Sequence, residues 1–184
     1  MHMLIAAIVR ADNKTDALNL AKHVFDDLVD ARVFDYYNTF DDKYARARWG
    51  EQPLAAKLES EDGRQLLHEL MDATKDDLLE NLCTIRELLQ EQTDEDIWNG
   101  DDFDCLPADK KVFRVLKNGD KRVDFEKSVR YFRHCCLGVG RYSGPSIYLY
   151  DENGEGIRDL TDLKHLLEQE NKDKLWIVPA DVHF

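Results

Sequence analysis

The chain has 184 residues, enough for a single domain to bury a core without disulfide or metal staples. Its residues are 43% hydrophobic and 34% charged, and no apolar run approaches the ~18 residues of a membrane span, so a membrane-embedded role is not expected. The net charge is −13, with 25 Asp against 13 Glu, which opposes nonspecific nucleic-acid binding. Two origins fit such acidity: a halophilic source, against which 13 lysines weigh, and mimicry of nucleic acid toward a basic partner.

Residues 3–10, MLIAAIVR, predict a buried first strand. They lack the basic start and small-residue cleavage site of a signal peptide, and a helical pattern follows at once. Asn13 or Thr15 caps that helix, whose apolar face runs through Ala17, Leu18, Ala21, Val24, Phe25, Leu28 and Val29. Residues 33–40, VFDYYNTF, are β-branched and aromatic and predict the second strand. Residues 41–60 carry Gly50 and Pro53 without a sustained period and predict loop with short helical pieces.

Leu67, Leu70, Met71, Leu78, Leu82, Ile85 and Leu89 keep a helical period across 61–92. Thr74 followed by Asp77 resembles a capping signal, which predicts two helices, 62–73 and 75–92, with one bent helix as the alternative. An acidic surface loop spans 93–109. A short strand at 112–117 turns at Asn118-Gly119, and a helix covers 125–136. A strand at 146–150, a helix at 159–168 and a last strand at 175–183 complete the chain. Pro179 inside the last strand predicts a sheet edge or a bulge there. The fold class is α+β: two strand–helix–strand halves form a small sheet of ferredoxin-like kind. One domain spans 1–184, with a helical and irregular insertion at about 41–135, helical from about 61.

Cys83, Cys105, Cys135 and Cys136 form no C-x-x-C pair, and reduced thiols in a cytoplasmic protein are the economical reading. The run His134-Cys135-Cys136 places its ligands in different directions on a helix, so buried free cysteines are favoured over zinc. Gly138-Val-Gly140-Arg-Tyr-Ser-Gly144 follows a helix and opens a strand, the reverse of a phosphate-binding loop, so no nucleotide cofactor is expected.

Asp151, Asn153, Glu155, Asp159 and Asp162 nearly match the spacing of a calcium-binding loop. Three features oppose that reading: the short Asp162 at the closing position, Arg158 where an apolar anchor belongs, and a strand as the entering element. A turn followed by a cap at Asp159 or Thr161 needs fewer coincidences.

Asp181 and His183 share one face of the last strand, and Asp35 and Tyr37 share one face of the second. A sheet that gathers Asp35, Tyr37, Asp181 and His183 holds an acid–base cluster suited to a phosphorylated or nucleotide substrate. Solvated sheet faces are the plainer alternative. Tyr44, Arg46, Arg48 and Trp49 interleave aromatics with arginines, as partner-binding segments do. Nine basic side chains against three acidic ones give residues 110–134, including Arg130 and Arg133, a net +6. That segment carries a third reading, nucleic-acid binding. With no catalytic motif in the chain, the expected function is a non-enzymatic acidic interaction protein that binds a protein partner through its acidic helices and residues 44–49.

Overall fold

The computed structural model describes residues 2–91, 93–95, 113–115, 121–123, 146–168 and 172–184. The predicted helix at 125–136, the glycine-rich segment, the His134-Cys135-Cys136 run, Cys105, the Asn118-Gly119 turn and the pair Arg130 and Arg133 lie outside them. Two compact units are present: residues 1–76 with 146–184, and residues 77–145.

The first unit is built on strand β1 (His2–Arg10) and strand β8 (Leu175–His183), paired antiparallel over their whole length. Strand β8 is buried at all but its last residue and β1 over its centre, Ile5 to Val9, as expected of strands covered on two faces there. On the far side of β1 lies β6 (Leu149–Tyr150), parallel to it, and then β7 (Gly156–Ile157). On the far side of β8 lies β2 (Tyr36–Thr39), which pairs with residues 180–183, and then β3 (Ala56–Lys57), which pairs with 176–177. The sheet order is β2-β8-β1-β6-β7, with β3 also on β8.

Helix α1 (Lys14–Asp30) covers one face, packing Ala17, Ala21, Val24, Phe25 and Leu28 on Ile5, Ala7, Val9, Val178 and Val182. Of the two candidate caps, Asn13 takes the role and accepts from the Thr15 and Asp16 amides. It stops in a Schellman turn. Val33 N–H donates to Leu28 O, Arg32 N–H donates to Val29 O, and Arg32 takes a φ of 59°, the left-handed conformation that glycine adopts most easily. Helix α3 (Glu61–Glu91) and helix α4 (Leu160–Glu168) cover the other face, where Leu66, Leu70, Leu163 and Leu166 meet Ala6, Ile8, Leu175 and Ile177. Gly63 in the first turn of α3 is needed for close approach, because a Cβ there would lie 2.1 Å from the Lys57 carbonyl oxygen.

The α+β class holds, and the central order β8-β1-β6 is that of a ferredoxin-like sheet. The edges differ. Strand β2 joins β8 rather than β6, the β7 hairpin takes the place beside β6, and α1 and α4 lie on opposite faces. Pro179 sits in an interior strand rather than at an edge. Leu175 O accepts from Leu58 N–H and so faces the β3 side, and Pro179, four residues on, faces the same way. There it falls between the end of β2 and the start of β3, where no ladder partner asks for its missing N–H.

One further expectation is corrected. Helix α3 is one element over Glu61–Glu91, not two. Thr74 caps nothing; its buried hydroxyl donates to Leu70 O one turn back, which absorbs the side chain inside a continuing helix. In the segment at 41–60, α2 (Lys43–Trp49), capped by Asp42, is a short helical piece of the kind expected there. In the second unit, β4 (Phe113–Val115) pairs antiparallel with β5 (Lys121–Val123).

Candidate functional site

One face of β8 reads Leu175, Ile177, Pro179, Asp181, His183. The first two residues join the core under α3 and α4. The last two extend the face into a polar end, and residues opposite them in the ladder share it: His2 and Leu4 on β1, Tyr36 and Asn38 on β2. Helix α2 brings Arg48 and Trp49 to this end.

Asp181 is fully buried. A buried carboxylate is costly unless hydrogen-bonded and charge-paired, and this one is both. Trp49 Nε1–H donates to its Oδ1 at 2.9 Å, and Arg48 Nη1 donates to its Oδ2 at 2.5 Å. His2 Nδ1 lies 3.0 Å from Oδ1 and 2.6 Å from Arg48 Nη1. A guanidinium has only donors, so this ring nitrogen serves one neighbour at a time: it accepts from Arg48 when bare and donates to Asp181 when protonated. The result ties α2, β1 and β8 together at one carboxylate.

Next to it stands a group of rings. Tyr36 stacks on His183 with centroids 5.0 Å apart and planes within 10°. His2 meets the His183 ring edge-on at 4.8 Å. Asp35 Oδ2 lies 3.2 Å from His183 Nδ1, and its side chain is 68% exposed. Tyr36 itself keeps 46% of its surface open.

The predicted acid–base quartet therefore splits. Asp35, Asp181 and His183 join one cluster, in the order Asp35, His183, His2, Asp181. Tyr37 does not join them. The register Tyr36↔His183 puts Tyr37 opposite Val182, on the α1 face. There its ring packs on Phe25 and its hydroxyl donates to Asp26 Oδ1 at 2.8 Å. Burial, then the Asp26 carboxylate, pushes that phenol well above the ordinary tyrosine range. Sequence alone missed His2, which carries no motif, and Tyr36, which differs from Tyr37 only by register.

Of the four aromatic and arginine anchors at 44–49, three are engaged within the chain. Arg46 Nε donates to Phe40 O at 2.7 Å, and Arg48 and Trp49 hold Asp181. Tyr44 is 63% exposed, with Lys43 Nζ 5.0 Å over its ring, and Arg46 and Arg48 are exposed as well.

The loop at 151–162 uses its oxygens on its own backbone. Asp151 Oδ1 accepts from the Asn153 and Glu155 amides, Asp159 Oδ1 from Thr161 and Asp162, and Asp162 Oδ2 from Arg158. Those amide bonds hold the Asp159 carboxyl below its usual range. This is the turn and helix cap of the plainer reading. Among the described residues no group of three or more His, Cys, Asp or Glu is placed to hold a metal ion. Nor is any helix among them long and apolar enough to cross a membrane.

Residues 1–115 and 110–184 match one family profile, described as Domain of unknown function (DUF7995). No curated protein and no solved structure matches this chain.

Proposed function

Because this chain belongs to the DUF7995 family, whose description assigns no function, we propose from its own residues a non-enzymatic interaction protein that binds a protein partner in the cytoplasm. The observation that carries the reading is the exposed Tyr36 ring stacked on His183. Rigid aromatic groups held in place before binding lose little entropy in a contact, which is why interface hot spots favour them. The contact surface is thus the polar end of the sheet around Tyr36 and His183. It replaces residues 44–49, whose arginines and tryptophan serve the fold.

The test is affinity capture of partners by the intact chain and by Tyr36→Ser, in parallel, with and without nuclease. The reading expects a stoichiometric protein partner that survives nuclease and is lost with Tyr36→Ser. Capture that is equal for both chains removes the surface, and partners lost on nuclease favour the basic 110–134 segment and a nucleic acid instead.

A second reading has its own support in the two imidazoles set 3.0 and 3.2 Å from carboxylates. Such pairs suit general acid–base chemistry. It expects a turnover, found by metabolite screening, that His2→Ala and His183→Ala each abolish; a turnover indifferent to both removes it.

A further inference from the structure

We propose that the open face of Tyr36, flanked by the Asp35 carboxylate, receives an arginine side chain from a basic segment of the partner. The inference rests on the interaction reading above and names the chemistry of what is bound. Three observations carry it. His183 stacks on the Tyr36 ring, His2 meets that ring edge-on at 6.1 Å, and 46% of the residue stays open, so an aromatic surface is presented to solvent. A guanidinium over such a face is attracted by the ring quadrupole, more so when a carboxylate stands beside it. Asp35 supplies that carboxylate: it is the adjacent residue, it is 68% exposed, and its contact with His183 fixes it at the rim of the stack.

The charge of the surroundings selects the same occupant. The chain carries −13, which draws in cationic partners and repels phosphates. Arg48, the cation found in this cluster, is already neutralised by Asp181. A nucleobase would stack on the same ring, but its phosphates would meet Asp35 and the field of the whole chain. Arginine fits better than lysine, because a planar guanidinium stacks on the phenol and reaches the carboxylate at once.

The experiment uses the full chain, with a blocked arginine-rich peptide, its lysine counterpart and a single-stranded oligonucleotide as probes, in low salt by fluorescence anisotropy. Variants are Tyr36→Ser, Tyr36→Phe, Asp35→Asn and, as a charge-matched control, Asp62→Asn in the first turn of α3. The arginine peptide is expected to bind more tightly than the lysine peptide. Tyr36→Ser and Asp35→Asn are each expected to weaken it about three- to tenfold. Tyr36→Phe, which keeps the ring, is expected to bind as the parent does, and Asp62→Asn to change affinity less than about twofold. Equal losses in all variants would mean attraction to overall charge alone, and would overturn the proposal. So would no binding of the arginine peptide, or oligonucleotide binding that depends on Tyr36. If the arginine peptide fails while a captured protein partner still depends on Tyr36, the arginine assignment falls and the interaction reading stands. Far-UV circular dichroism of each variant separates loss of binding from loss of fold.

Discussion

Replacing Arg48 by Met strands Asp181, the buried carboxylate among the described residues of the first unit. Asp181 has no exposed surface, and the change removes the donor at 2.5 Å on Oδ2 while leaving Trp49 and His2 on Oδ1. Breaking a buried ion pair on one side costs about 3–5 kcal/mol where the remaining charge is sealed from water. Here the Arg48 side chain is 40% exposed, so water reaches the vacated edge and part of the cost is screened. The expected loss is therefore about 2–3 kcal/mol. Asp181→Asn alone keeps the volume but loses the charge that Arg48 and Trp49 address, for a loss of similar size. The double variant has no buried charge left to strand, so it should be more stable than the two losses summed by about 1–3 kcal/mol. Urea unfolding, followed by far-UV circular dichroism and tryptophan fluorescence, measures all four chains; constant m values are the condition for comparing midpoints. Strictly additive losses, or an Arg48→Met cost below about 0.5 kcal/mol, would refute the idea that this pair holds α2 to the sheet.

Gly63→Ala should destabilise by about 1–3 kcal/mol despite the better helix propensity of alanine, since the new Cβ meets the Lys57 carbonyl and the β3–α3 junction must shift. Thermal unfolding decides it, and a stabilised variant would contradict the close approach. Arg32→Gly should go the other way and raise stability by up to about 1 kcal/mol, because it relieves a left-handed residue at the end of α1; an unchanged or lower midpoint would count against the Schellman assignment. On the alkaline side, burial pushes the Tyr150 phenol up to about 12. Its contribution is complete below pH ~10, where the unfolded phenol titrates, and is lost as pH rises through the folded value, by on the order of 2–3 kcal/mol. Absorbance titration should show late phenolate ionisation from Tyr37 and Tyr150 that loses the Tyr150 share in Tyr150→Phe, and Tyr150→Phe should unfold less readily above pH 10; a single early step for all tyrosines would rule it out.

Local signals carried much of this protein. The Asn13 cap, the apolar stripe of α1, the strands at either end and the Asp159 cap of α4 follow from periods and side-chain reach within a few residues, and each is where the sequence predicts it. Thr74 misled because a hydroxyl four residues from a carbonyl serves a continuing helix as well as a cap, and the residue type is the same in both roles. Pairing register was not legible, because it joins residues as far apart as His2 and His183 and a slip of one exchanges every face. That register chose Tyr36 over Tyr37 for the polar end of the sheet, sent Tyr37 to Asp26, and placed Pro179 at a gap that needs no donor. It also turned Arg48 and Trp49 inward, for a carboxylate in the middle of a sheet must find its donors in whichever element passes over it, and tertiary structure alone decides that this element is α2.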